Sequence, residues 1–292
     1  MTPQANHVLD TAENYEFIHG LLEQRLSRHE LVVPLLPEVA IRVMRLSGED
    51  ATTAGQLAAL IEADPALTMY VLRVAASAAK RPATPVVSLH QAVAWLGFET
   101  VTSIAFTLAL QGKMLNVPGQ SQTARRLWRH SLASALWSKH LSHMLARDAG
   151  LGYLCGLLHT VGKPVTLSAA NDLAQRAQIK LATEQYLQLI ETFHRHVGAL
   201  VVGAWGVAPL VQTVLLQWEA FASAGPARID CALVNLAHRL ADMMLAGSTG
   251  VVRDLVEQDP AYAELSLSSL DAVALFEAVP SIGADLDAFL PP

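Results

Sequence analysis

Apolar side chains recur every three or four residues along nearly the whole chain, as they do on one face of an α-helix. Two such stripes come early, at Val39, Val43 and Leu46 and then at Leu57, Leu60 and Ile61. No segment alternates polar and apolar residues between turn signals in the way that is typical of a β-strand. The pattern predicts an all-α protein built as a multi-helix bundle.

Residues that typically begin or end helices interrupt this pattern and predict the helix boundaries. Asp64-Pro65 predicts a helix start, because Asp accepts hydrogen bonds from the first backbone N–H groups and Pro is favoured at the first helical position. A hydroxyl residue three positions before Gln indicates a capping box, as at Thr53–Gln56 and Ser88–Gln91. The two prolines in residues 81–85 predict a short non-helical linker.

A seam between two helical lobes is expected at residues 115–119, where the sequence Leu-Asn-Val-Pro-Gly interrupts the helical period. The segments before the seam have the pattern of tightly packed helical hairpins. After the seam we expect a long helix from about Thr123 to Ala146.

An uncharged run at residues 197–216 has the length of a membrane span. Within it, the sequence Trp-Gly-Val-Ala-Pro at residues 205–209 is typical of a helix end followed by a helix that begins with Pro. Two buried helices therefore fit this run better than one membrane span.

Composition narrows the class of protein. The chain has 292 residues, of which 52% are hydrophobic and 16% charged, so it can bury a sizeable core. The net charge of -6 comes from residues 251–292, which hold eight acids and one base. The rest of the chain is close to neutral, which argues against a protein that binds nucleic acid through its phosphates.

The two cysteines and the N-terminal residues indicate the cellular compartment. Cys155 and Cys231 lie in apolar helical patterns, so we interpret them as core residues rather than a disulfide. The first 30 residues contain five acids and no long apolar stretch, unlike a signal peptide. We expect a cytoplasmic protein with no membrane span.

Histidine is the residue type that most directly suggests chemistry. Four of the eleven histidines lie on apolar helical faces: His130, His159, His194 and His238. Metal sites in helical bundles are built from inward-facing side chains of several helices. A buried histidine that only donates and accepts hydrogen bonds gives the same pattern, so both interpretations remain open.

Around these histidines the chain resembles a known family. The sequence Leu-Leu-His-Thr-Val-Gly-Lys at residues 157–163 is similar to the metal-binding signature of the HD superfamily of metal-dependent phosphohydrolases. The wider chain resembles the HDOD domain, an HD-related output domain of bacterial signalling proteins. The matching blocks are residues 36–40, 61–67, 72–78, 88–93, 96–97, 127–131, 194–199 and 205–206.

The resemblance implies a domain organisation. It places an HDOD domain at residues 31–247, with an N-terminal lobe at about 31–116 and an HD-like lobe at about 120–247. Residues 1–30 would form an N-terminal helical extension, and residues 248–292 an acidic C-terminal helical segment.

The departures from the HD pattern matter for the expected site. Thr160 stands where the family has the aspartate that bridges two metal ions. The family's His-His pair falls on Trp218-Glu219, and its late aspartate falls on His238. The resemblance therefore leaves His130, His159 and His194, with His238 and Glu219 as substituted candidates.

Such a set could hold one divalent transition metal ion, zinc or iron, but it is a poor two-metal hydrolytic site. Lys163 is retained from the signature and could contact an anionic ligand such as a phosphate. The simpler interpretation of Lys163 is a solvated lysine after a glycine turn.

Three functions follow from this pattern. The resemblance and the lost metal residues favour a non-catalytic regulatory module of bacterial signal transduction, acting through signalling proteins or a small ligand. The alternative is a metal-dependent phosphohydrolase acting on a nucleotide or cyclic dinucleotide, supported by the retained histidines. The third is a helical scaffold whose histidines never bind metal.

The C-terminal segment is expected to dock on the body of the protein. Ser268 and Asp271 have capping-box spacing, and Leu270, Val273 and Phe276 could form one apolar helical stripe after it. We expect this stripe to be buried and the acids of the segment to face solvent.

Overall fold

The computed structural model describes residues 11–36, 38, 41–42, 54–77, 88–247 and 258–290. The described residues form helices and turns without any β-strand, so the predicted all-α multi-helix fold is confirmed. Three features predicted from the sequence lie outside these ranges. They are the apolar stripe at Val39, Val43 and Leu46, the capping residue Thr53, and the linker at residues 81–85.

Thirteen α-helices and two short 3-10 helices are present within the described ranges. In chain order the α-helices are α1 (Thr11–Ser27), α2 (Ala54–Glu62), α3 (Pro65–Ser77), α4 (Leu89–Leu96), α5 (Phe98–Leu115), α6 (Ser121–Met144), α7 (Ala149–Leu158), α8 (Gly162–Ala177), α9 (Thr183–Trp205), α10 (Pro209–Gln217), α11 (Arg228–Leu245), α12 (Pro260–Glu264) and α13 (Ser269–Phe289). The 3-10 helices Trp218–Ser223 and Gly225–Ala227 connect α10 to α11.

Local sequence signals set several of these bounds. The Asp64 carboxylate accepts hydrogen bonds from the backbone N–H groups of Ala66 and Leu67, at 2.9 and 3.1 Å, and so begins α3. The Ser88 hydroxyl accepts from the N–H of Gln91 at 3.2 Å and begins α4. The expected long helix is α6.

The uncharged run at residues 197–216 forms two helices, as predicted. α9 ends at Trp205, Gly206 adopts a left-handed φ of 60°, and α10 begins at Pro209. Core residues from both helices are fully buried, among them Val201 and Val211.

No single helix in the described part of the chain has both the length and the apolar character of a membrane span. One pair, Leu89–Leu96 with Phe98–Gly112, reaches these limits only when the two are taken together, and it is bent by 113°.

The core is one continuous cluster of buried apolar residues that runs through the described helices. α6 lies at its centre, packed against α7 on one side and α11 on another, while α8 packs along α9. α1 packs on α8 and α9 and buries Ile18 and Leu22 completely, so it contributes to the same core. Cys155 and Cys231 are buried and unpaired with each other.

The contact between α8 and α9 depends on a glycine. A Cβ atom on Gly162 would lie 1.8 Å from the backbone oxygen of His194 and 2.7 Å from the backbone nitrogen of Gly198. Only glycine allows the two backbones to come this close. This crossing places Lys163, the next residue, beside α9, where its ammonium group lies 3.1 Å from Glu191.

The C-terminal segment docks on the body through α13, which packs against α3 and α6. The Ser268–Asp271 capping box is present. The Tyr70 hydroxyl donates a hydrogen bond to the carbonyl of Phe289, and Arg73 donates one to the carbonyl of Leu290 at 2.9 Å. These bonds join the end of α13 to α3.

The prediction that α13 docks through Leu270, Val273 and Phe276 is wrong. Leu270 is 82% exposed and Phe276 is 45% exposed, and Val273 is only half-buried. The buried face consists of Ala272, Leu275, Ala278, Ile282, Leu286 and Phe289. The error arose because the small residues Ala272 and Ala278, which allow close packing, carry less weight in a hydrophobic pattern than the larger side chains beside them.

The expectation that the C-terminal acids face solvent is also wrong in part. Asp259 is buried, caps α12 through the N–H of Ala261, and pairs with Arg239 at 2.9 Å. Glu264, whose side chain is largely buried, pairs with Arg228. These ion pairs join α12 to α11. Asp254 and Glu257 lie outside the described residues.

Replacing Gly162 with Ala should lower stability, because the added methyl group would force α8 and α9 apart. We expect a loss of about 2 kcal/mol or more in the free energy of unfolding. Urea denaturation followed by circular dichroism measures this loss. Gly203→Ala on α9 is the matched control, since nothing lies within 4 Å of its Cβ position, and it should not destabilise. Equal effects of the two substitutions would contradict the packing argument.

Candidate functional site

Three histidines, two on helices and one directly after a helix, converge at one point of the structure. They are His130 on α6, His159 directly after α7, and His238 on α11, and one ligand atom of each lies within 4.8 Å of the others. The Nε2 atom of His159 is 2.8 Å from Nδ1 of His238, and the rings of His130 and His238 have centroids 4.5 Å apart. We call these three residues the histidine cluster.

The close approach of α7 to α6 puts His159 in place. A Cβ atom on Gly156 would lie 2.7 Å from the backbone oxygen of Ser134 and 2.8 Å from the Cα atom of Ala135, so the contact requires glycine. The carbonyl of Gly156 then lies 2.7 Å from Nδ1 of His159. α6 and α11 bring His130 and His238 to the same point.

The hydrogen bonds define where the protons lie. A carbonyl oxygen only accepts, so Nδ1 of His159 carries the proton and donates it to Gly156. In a neutral ring, Nε2 of His159 is then a bare acceptor, and Nδ1–H of His238 donates to it. This assignment leaves Nε2 of neutral His238 without a proton, 3.5 Å from a carboxylate oxygen of Asp242.

Burial within the cluster favours the neutral forms of His159 and His238. Burial, followed by the charges of His238 and His130, holds the pKa of His159 well below its usual range. Burial, followed by the charge of His130, lowers the pKa of His238 to about 3, although Asp242 acts in the opposite direction. Neutral imidazole is the form that binds metal ions.

Sequence reasoning missed Asp242. One of its carboxylate oxygens lies 3.0 Å from Nε2 of His130, although this contact does not have hydrogen-bond geometry. Burial acts to raise the pKa of Asp242, but its contacts with His130 and His238 outweigh burial and lower that pKa. Asp242 follows His238 by one helical turn, and this spacing could have identified it.

Thr160 forms a structural hydrogen bond. Its hydroxyl oxygen lies 2.9 Å from that of Ser131, and Ser131 donates to the carbonyl of Leu127 at 3.1 Å. With its single proton used in this way, Ser131 accepts from Thr160. Thr160 is almost fully buried, and it joins the turn after α7 to α6 as a neutral side chain.

Trp218 covers the other side of the cluster. Its ring meets His159 edge-on, with centroids 4.9 Å apart, and lies 4.7 Å from the ring of His238. Glu219, a substituted candidate ligand, pairs with Arg195 and is not part of the cluster. The positions at which the resemblance places a His-His pair therefore supply an aromatic wall and a surface ion pair.

His194 lies outside the histidine cluster. It is buried in α9, with its Nε2 atom 3.9 Å from Glu191, and burial together with the charge of Lys163 lowers its pKa to about 4. Three of the four predicted histidines thus come together, and the fourth belongs to the contact between α8 and α9. Whether the three bind metal stays a prediction.

Lys163 is less solvated than a lysine in a surface turn. Its ammonium nitrogen lies 3.1 Å from Glu191, and its side chain is only 20% exposed. It lines a cavity of about 640 Å³ that opens beside the histidine cluster. The described residues around this cavity are Arg126, Leu127, Arg129, His130, Thr160, Lys163, Leu187, Ile190, Glu191, His238, Asp242, Leu245 and Ala246.

Solved structures share this fold. A protein from Shewanella amazonensis SB2B, provisionally named a metal-dependent phosphohydrolase, superposes with a TM-score of 0.70 at 20% identity, covering 95% of this chain and all of that one. An HDOD domain protein of unknown function from Geobacter sulfurreducens gives a TM-score of 0.70 at 21% identity, covering 97% of this chain and all of that one.

A third structure is that of a protein from Marinobacter aquaeolei VT8, provisionally named a signal transduction protein. It gives a TM-score of 0.67 at 24% identity, covering 96% of this chain and 69% of that one. At these identities the likeness establishes the fold alone. Comparison with curated proteins gave no significant match.

The sequence profile of one family matches the chain directly. The match extends over residues 33–220, which include the seam, His130, the signature around His159, and His194. It ends before His238 and Asp242, so two residues of the site lie on α11, beyond the matched part. Since the match covers more than half of the sequence, this chain belongs to the HDOD domain family.

Proposed function

We propose that this chain is a non-catalytic regulatory module of signal transduction, which acts through protein partners or a small ligand and hydrolyses no phosphoester. The observation that carries the proposal is Thr160. Two-metal hydrolysis needs a carboxylate that bridges the ions and offsets their charge. Thr160 is neutral, and its hydroxyl is already bonded to Ser131.

The surroundings of Thr160 support the same proposal. Asp242 supplies a carboxylate near the cluster, but it contacts His130 and His238 rather than His159, and its side chain is 61% exposed. Trp218 packs against His159 and His238, so this side of the cluster is covered by an aromatic ring that offers no ligand to a metal ion. The cluster therefore offers nitrogen ligands for one ion and no bridging group for a second.

A single bound ion is the specific alternative that the geometry favours. The Gly156 carbonyl holds His159 with its Nε2 lone pair directed at His238, as outer hydrogen bonds orient metal ligands in other proteins. Three imidazoles suit zinc or iron(II). An ion would displace the hydrogen bond between His159 and His238, so metal binding and the hydrogen-bonded cluster are competing states.

The purified protein should not hydrolyse bis-p-nitrophenyl phosphate, p-nitrophenyl phosphate or a cyclic dinucleotide with Mg²⁺, Mn²⁺ or Fe²⁺ present. The physical reason is the missing bridging carboxylate. Release of p-nitrophenol, and chromatography of the cyclic dinucleotide, measure turnover. A rate well above background that disappears in His159→Ala would overturn the proposal in favour of a phosphohydrolase.

Thr160→Asp should raise the affinity of the site for Mn²⁺ by about tenfold or more, because it supplies the missing negative charge, with the Ser131 hydroxyl turning its proton from the Leu127 carbonyl to the new carboxylate. Thr160→Asn is the matched control, with nearly the same shape and no charge. Titration calorimetry measures both variants. Equal affinities in the two variants would show that the carboxylate is not what the site lacks.

The wild-type protein should bind no more than one Co²⁺ ion per chain, and His159→Ala should weaken that binding at least about tenfold. Visible absorption of Co²⁺ reports coordination by protein ligands. His194→Ala is the control, because His194 is buried nearby but lies outside the cluster. A complete absence of Co²⁺ binding would favour the scaffold interpretation, in which the histidines only bond one another.

A further inference from the structure

The side of α13 that faces away from the body carries large apolar side chains. Leu270 and Phe276 are exposed, and Val273, between them, is half-buried. We call these three residues the outer stripe. They follow one another at three-residue steps, so they lie on one side of the helix over about 9 Å. The buried face of α13, which packs on α3 and α6, consists of other residues.

Further apolar residues continue this surface along the helix. Pro280 and Ala284 follow Val273 by two and three helical turns, and they are exposed on the same side. A single exposed leucine needs no explanation, but several apolar residues on one side of one helix form a patch. Apolar patches with polar residues at their edges are typical of sites where another macromolecule binds.

The charged side chains of α13 are all acidic. The helix holds Asp271, Glu277, Asp285 and Asp287, and it contains no Lys, Arg or His. Glu277 is exposed one residue after Phe276 and forms no ion pair within the described ranges. Asp287 lies 3.7 Å from an Arg side chain of α6 but stays 73% exposed. The outward side of α13 therefore combines apolar surface with negative charge.

This charge restricts what can cover the outer stripe. A second copy of the chain, docked through the same face, would bring four more acids against those of α13, and like charges repel. An anionic membrane surface would be repelled for the same reason. A helix with apolar residues on one side and Lys or Arg beside them complements both the apolar surface and the charge.

We propose that the outer stripe of α13 binds a basic amphipathic helix of another protein. Leu270 and Phe276 are the apolar anchors, and Glu277 pairs with a Lys or Arg side chain of the partner. The inference rests on the proposed function, since it names a surface and a kind of protein partner through which the regulatory module acts. It uses no residue of the histidine cluster or of the cavity beside it.

A synthetic peptide of Leu and Lys is the probe, about 18 residues long, with its leucines on one side of a helix. Fluorescence anisotropy of the labelled peptide should show saturable binding to the full chain. A peptide with Glu at every Lys position is the matched control, and it should bind at least about tenfold more weakly, because its charges repel those of α13. Equal binding of the two peptides, or no saturable binding of the Leu–Lys peptide, would overturn the proposal.

Paired substitutions locate the bound peptide. Leu270→Ser combined with Phe276→Ser removes both anchors and should weaken binding at least about tenfold. Both residues are exposed, so the variant should fold, which circular dichroism checks. Leu216→Ser combined with Phe17→Ser makes the same changes at exposed positions of α10 and α1, and it should leave binding unchanged. Equal effects of the two paired variants would refute the assignment to the outer stripe.

A charge reversal separates a local ion pair from the net charge of the protein. Glu277→Lys should weaken binding of the Leu–Lys peptide by about fivefold or more. Glu23→Lys, at an exposed position of α1, changes the net charge by the same amount and should have a much smaller effect. If the two reversals weaken binding equally, the peptide follows net charge alone and the proposal is wrong.

Sedimentation analysis tests the competing occupant. The wild-type chain should show no dimer that depends on the outer stripe. A dimer that dissociates in the Leu270→Ser, Phe276→Ser variant would assign this surface to a second copy and overturn the proposal. Phosphoester turnover would instead overturn the proposed function and leave the peptide results unchanged, so the two proposals can fail separately.

Discussion

The hydrogen bond between His159 and the carbonyl of Gly156 is the constraint on which the site depends. It exists because Gly156 lets α7 come close to α6, where any side chain would meet the backbone of Ser134. The bond sets the tautomer of His159, and through it the proton of His238. Burial then keeps both rings neutral, so His159 and His238 can lie in contact without repelling one another.

Local signals in the sequence predicted where helices begin and end, because a cap or a proline acts within one helical turn. Asp64, Ser268 and Pro209 all begin helices as expected. The buried face of α13 could not be predicted in the same way, since α3 and α6, distant in sequence, decide which side chains of α13 they cover. Burial of Asp259 depends similarly on its partner Arg239 on another helix.

The four candidate histidines stood out in the sequence because they lie on apolar helical faces, and the resemblance retained His130, His159 and His194, with His238 as a substituted candidate. Neither signal could show that His194 lies at the contact between α8 and α9, because that depends on how distant helices pack.

Long-range ¹H–¹⁵N correlation spectra of the histidine side chains test the central claim most directly, because they report the tautomer and the charge of each ring. At neutral pH and without added metal, the account predicts a neutral His159 and a neutral His238, each protonated at Nδ1, with Nε2 of His159 accepting a hydrogen bond. Assignment of the two residues can be checked with His159→Ala, in which the remaining signal of His238 should change. A positively charged His159 at neutral pH, or a proton on its Nε2 atom, would contradict the account.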